Sequence, residues 1–104
     1  MPDSAEQLQH IYLAGFELQT FDRFPRAIGV MRDGCIALVE ATPDGLRMIG
    51  TPGWRMGEVM GVLTEKDGRP VFQSKDQVEE ATPERLETLV KFRRELNDLL
   101  LAQA

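Results

Sequence analysis

Three Asp-Gly pairs, at 33–34, 44–45 and 67–68, constrain this chain more than any other feature. Two-residue hairpin loops need positive φ at their central positions. Asp tolerates that and Gly adopts it freely, so Asp-Gly between apolar, β-compatible runs reads as a hairpin turn. Such runs are present: 27–32 and 35–42 flank the first pair, 46–49 follows Pro43-Asp44-Gly45, and 58–65 and 69–75 flank the third. The turns stand eleven and then about twice eleven residues apart, the rhythm of strand plus turn in an antiparallel meander.

Within 35–42, Cys35, Ala37, Val39 and Ala41 alternate with Ile36 and Leu38. Both faces of that strand are apolar and look covered, which predicts a place in the middle of a sheet. Pro70 cannot donate a ladder hydrogen bond, so the last strand is expected at an edge, or to begin after it.

Helices bracket the strands. Ser4-Ala-Glu-Gln7 has the form of a capping box, with Gln7 able to reach back to Ser4. Leu8, Ile11, Tyr12, Gly15 and Phe16 then recur at spacings of three and four, which predicts helix to about Gly15 and extended chain from there toward Phe21. Tyr12, Ala14, Phe16 and Leu18 also alternate as a strand would. Phe24-Pro25 ends the segment, because a residue before proline is pushed out of the α region.

Thr82-Pro83-Glu84 marks a second helix start, with threonine as N-cap, proline at the first helical position and an acid near the positive end of the dipole. Leu86, Leu89, Val90, Leu96, Leu99 and Leu100 form its apolar stripe, widened by Phe92, with Glu87, Lys91 and Glu95 on an outer row of i,i+4 pairs. Leu89, Phe92, Leu96 and Leu99 are spaced like half of a dimer seam, but so short a run more often docks on its own sheet.

The expectation is one α+β domain over 1–104: an N-terminal helix, an antiparallel meander sheet of about five strands, and a long C-terminal amphipathic helix packed on one sheet face. At 104 residues such a domain buries roughly two-thirds of its unfolded surface and needs no metal or disulfide staple. Cys35, the only cysteine, is expected as an inert buried thiol. In size, acidity and the order helix, three strands, irregular crossover, two strands, helix, the chain is similar to small acidic type III secretion chaperones. That likeness rests on no shared motif and carries over no residues.

Twelve Lys and Arg against seventeen Asp and Glu leave a net charge of −5, which repels phosphate backbones and argues against nucleic acid. The start of the chain lacks a basic n-region and an apolar h-region, and no apolar run reaches membrane length. A cytoplasmic protein without a membrane partner is the expectation.

Nucleophilic catalysis needs a nucleophile with a base in reach. His10 and Cys35 are each unique and neither lies in a nucleophile motif. One histidine and one cysteine cannot supply a zinc site, and Asp22, Asp33, Asp44 and Asp67 all sit in turn contexts. No catalytic residue, metal or cofactor is expected.

The stretch 50–61, GTPGWRMGEVMG, has the glycines of a phosphate loop but neither the lysine nor the following helix that such a loop requires. It reads as an irregular connection in which Thr51-Pro52-Gly53 breaks the third strand and Gly57 ends the break. Trp54, Arg55 and Met56 are residue types enriched at interfaces and form the candidate binding loop. The alternative is that Trp54 folds back as a lid on the core.

Two functions are therefore expected to compete. One is a non-catalytic binding or assembly module, a homodimer or the partner of another protein, using the Trp54 loop and a sheet edge or the terminal helix. The other is a small-ligand-binding or enzymatic domain with a pocket between sheet and helices, lined by Tyr12, Phe16, Trp54 and Phe72, with His10 or Arg55 as its polar group.

Overall fold

The computed structural model describes residues 4–22, 24–57 and 59–102. Helix α1 (Ser4–Leu13) is followed by seven strands, β1 (Glu17–Phe21), β2 (Phe24–Arg32), β3 (Cys35–Thr42), β4 (Gly45–Met56), β5 (Val59–Lys66), β6 (Arg69–Gln73) and β7 (Val78–Glu80), and by helix α2 (Pro83–Ala102). The strands form one antiparallel sheet in sequence order, a pure meander. The α+β class and the bracketing helices are as the sequence predicts. The strand count is seven rather than about five, because the extended chain toward Phe21 pairs with β2 and Val78–Glu80 pairs with β6.

Two of the Asp-Gly turns behave as expected: Asp33 and Asp67 both take φ of 53°, followed by Gly34 at 85° and Gly68 at 77°. Positive φ at both central residues defines the type I′ hairpin that matches strand twist. The turn at Pro43-Asp44 differs, because proline locks φ negative; there the positive φ, 116°, moves to Gly45. Thr42 steadies that turn by accepting the Asp44 N–H at 3.2 Å and donating its hydroxyl to the Gly45 carbonyl at 2.7 Å.

Side-chain alternation assigns the two faces of the sheet. Val30 on β2, Cys35, Ala37 and Val39 on β3, Leu46 and Met56 on β4, and Phe72 on β6 point to one side. Ile11, Phe16, Leu89, Phe92 and Leu96 close that side to make the core. Phe16 meets Phe92 edge-on at 5.7 Å between ring centroids. The seam-like set Leu89, Phe92, Leu96 and Leu99 is therefore docked on its own sheet. Val90, assigned to the same stripe, lies outside it at 64% exposure. Glu95 pairs with Arg32 of β2 across the layers, and the Arg32 guanidinium also sits 4.0 Å over the Phe16 ring.

Thr82 caps α2 as predicted, accepting the Arg85 N–H at 3.2 Å, with Pro83 as the first helical residue. The capping box at Ser4 does not form. Gln7 is buried, and its Oε1 accepts the N–H of Leu46 at 2.8 Å instead of reaching back along α1.

The edge reading of Pro70 is also corrected. It lies inside β6, with β5 on one side and β7 on the other. Its carbonyl accepts the Ala81 N–H at 3.1 Å, so its missing N–H falls on the β7 side at the last rung, where that strand is already leaving.

Candidate functional site

The stretch 50–61 is not a break between strands. It lies mostly within β4, which runs unbroken from Gly45 to Met56. Across the bulge, Leu38 pairs with Ile49 and Ile36 with Gly53, so β4 carries Gly50, Thr51 and Pro52 where β3 carries only Ala37. Gly50 takes a φ of 65° to enter the bulge. Past it, Trp54, Arg55 and Met56 pair with Gly61, Met60 and Val59 of β5, while the part of β4 before the bulge pairs with β3 alone. The sheet is thus split between β4 and β5 at the bulge.

The three candidate binding residues do not form one surface. Trp54 points to the helix side, stacked on Phe72 at 5.4 Å between centroids and 16° between planes, with the Arg85 guanidinium 5.2 Å from the indole ring centroid. Arg85 is itself held by the Glu80 carbonyl at 2.9 Å and by Glu79 at 3.6 Å. Trp54 is therefore the half-buried lid of the alternative reading. Met56 is 2% exposed in the core, and Arg55 alone is exposed, its Nε donating to the Gly57 carbonyl at 3.2 Å.

The proposed pocket residues do not converge either. Phe16 and Phe72 are core residues, whereas Tyr12 is 63% exposed and His10 is exposed on α1. Neither of the two concavities seen among the described residues is lined by any of them.

A different concavity exists on the sheet face turned away from the helices. It encloses about 700 Å³, with Ile36 and Leu38 of β3 and Met60 and Val62 of β5 as its apolar floor and Val59 at its margin. Phe21 and Asp22 at the end of β1 form one wall, and the polar segment from Gln73 through Ser74, Lys75 and Asp76 to Gln77 forms the other. Each wall has a local cause. The Phe21 ring lies directly on Gly29, where any Cβ would collide with it. In the loop, Ser74 accepts the Gln77 N–H at 3.2 Å, and the Ser74 N–H donates to the Gln77 carbonyl at 2.9 Å, a self-closed turn that holds Lys75 and Asp76 outward.

Ile36 and Leu38 were legible as the second face of β3. The expectation that both faces of this strand are covered is corrected here, because Ile36 and Leu38 line an open trough. Among the described residues no helix lines it, and the strand's neighbours across the split contribute the remaining apolar side chains.

No protein family, curated protein or solved structure matches this chain. The trough must therefore be read from its own chemistry. Cys35 faces the core from the opposite side of β3, fully buried; burial pushes its thiol up to about 11, the Asp33 carboxylate adding to the rise and Arg32 opposing it. A thiol so protonated is a poor nucleophile. Among the described residues, no three of His, Cys, Asp and Glu cluster to hold a metal ion. Nor is any described helix long and apolar enough to cross a membrane.

Proposed function

We propose that this chain is a small non-catalytic binding and assembly module, working in the cytoplasm as a homodimer, that takes an apolar segment of another protein into the trough on its open sheet face. The observation that carries this reading is the trough itself: an aliphatic floor of about 700 Å³ with polar groups confined to its walls. Concave sites of this kind bind by excluding water from apolar surface and use a few rim groups for orientation. Lys75, Asp76 and Gln77 supply those groups, with Asp22 opposite them. The net charge of −5 disfavours nucleic acid as the occupant.

A selection of displayed random peptides on the native protein tests the reading. Enrichment of sequences with apolar anchors, abolished by Met60→Glu in a protein that still melts cooperatively, is the supporting result. A selection that yields nothing, or binders indifferent to Met60→Glu, ends it. The same volume also suits one small apolar molecule, since such sites commonly span about 300–1,000 Å³. Saturation by a small apolar probe with no peptide enriched would favour that second reading.

A further inference from the structure

The split at the β4 bulge creates two free strand edges, and they are treated differently. In a two-residue hairpin, the residues flanking the loop form a hydrogen-bonded pair, and successive residues turn their N–H and C=O alternately to either side. Thr42 and Gly45 flank the second turn, so Leu46 turns its N–H outward, where Gln7 of α1 meets it at 2.8 Å. Lys66 and Arg69 flank the third turn, so Lys66, Thr64 and Val62 face β6, whereas Leu63 and Glu65 turn their N–H and C=O away from it. The carbonyl of Pro70, opposite Glu65, confirms this phase by bonding on the β7 side. Beyond Gly61, β5 has no strand on its other side, and among the described residues nothing meets the outward groups of Leu63 and Glu65. Leu63 is 42% exposed, and Thr64, Glu65 and Lys66 are exposed as well.

We infer that the unpaired edge of β5 is the dimer interface, closed by β5 of a second copy running antiparallel about a two-fold axis at Thr64. The register is self-complementary. With Thr64 on the axis, Leu63 of each copy stands opposite Glu65 of the other, and every outward N–H and C=O of both strands gains a partner. Thr64 meets Thr64, a favourable cross-strand pair, Lys66 meets Val62, and no like charges stand opposite each other. Residues 64–70 otherwise form a ribbon in which every residue is exposed, and a two-stranded ribbon is marginal in water. Pairing makes it four-stranded. Val62 lies both on this edge and in the trough floor, so the interface would bring the two troughs to its margin. The interface is isologous, as a closed dimer requires.

This inference rests on the dimeric part of the proposed function, and the tests separate the two. Light scattering should give twice the chain mass for the wild type at micromolar concentration. Glu65→Pro removes an outward N–H without removing a β5–β6 rung, and should give a monomer with unchanged circular dichroism. Thr64→Cys should form a covalent dimer within minutes of mild oxidation, because a non-hydrogen-bonded pair sets the two Cβ atoms within disulfide reach, while Asp44→Cys should not. A dimer that survives Glu65→Pro, with no Thr64→Cys cross-link, overturns this interface and leaves the dimer. A wild type that stays monomeric overturns both. Should Glu65→Pro fail to fold, the cross-link alone decides.

Discussion

Gln7 and Leu46, thirty-nine positions apart in the chain, are joined by a buried hydrogen bond of 2.8 Å in which a side-chain amide oxygen on α1 completes the backbone of β4. The bond does two things. It satisfies an N–H that the divergence of β4 and β5 leaves without a strand partner, and it fixes α1 against the sheet. Gln7→Leu keeps the volume and orphans that N–H, so it should destabilise by about 1–3 kcal/mol. A urea midpoint that falls accordingly, with faster amide exchange at Leu46, is the expected result; exchange unaltered at Leu46 would count against the bond.

Trp54 is the only tryptophan, so its fluorescence reports one site. In contact with both Phe72 and Arg85, it should show a shifted emission that moves toward that of free indole on unfolding. Trp54→Ala should cost about 3–5 kcal/mol, as a large aromatic lost from a packed site. Arg85→Ala should cost about 1 kcal/mol from the lost cation–π contact and its hydrogen bond. If Trp54→Ala left the melting temperature unchanged, Trp54 would be a surface residue after all.

These two sites mark where the sequence was informative and where it was not. Asp33-Gly34 and Asp67-Gly68 announced their turns because the needed φ values belong to the two residues themselves. Thr82 and Pro83 announced a helix for the same local reason. Val78–Glu80 has no such signature: a three-residue strand with two acids becomes a strand only because β6 is there to pair with it. Pro52 read as a breaker because the bulge that accommodates it exists only in the pairing with β3. The trough was illegible for a further reason. An apolar strand face carries no mark that says whether a helix, another sheet or nothing will cover it.

On α2, neighbouring apolar positions should respond differently. Leu96→Ala removes a fully buried side chain and should cost about 2–5 kcal/mol. Val90→Ala, at an exposed position, should stay within about 0.5 kcal/mol of wild type. Equal losses in denaturant titrations would mean that α2 presents another face to the sheet.

Cys35 should give a pH signature. Its folded pKa of about 11 lies above the ordinary thiol value of 9.0, so between those values the unfolded chain has released a proton that the native state still holds. Stability attributable to Cys35 is thus complete below about pH 9 and declines up to about pH 11, by about 3 kcal/mol at most. Comparing wild type with Cys35→Ala across that window isolates the effect: the stability difference should narrow as pH rises. Native Cys35 should also resist thiol reagents at pH 8 that label the unfolded chain at once. Rapid labelling of the folded protein would contradict the burial.

Apolar binding at the open sheet face is tested most directly by methyl-resolved NMR with 1-anilinonaphthalene-8-sulfonate as the probe. Saturable shifts at the methyls of Ile36, Leu38, Met60 and Val62, with Val39 and Leu96 unmoved, are predicted for a trough that binds apolar groups. Shifts confined to the helix side, or none at all in the native protein, would contradict it.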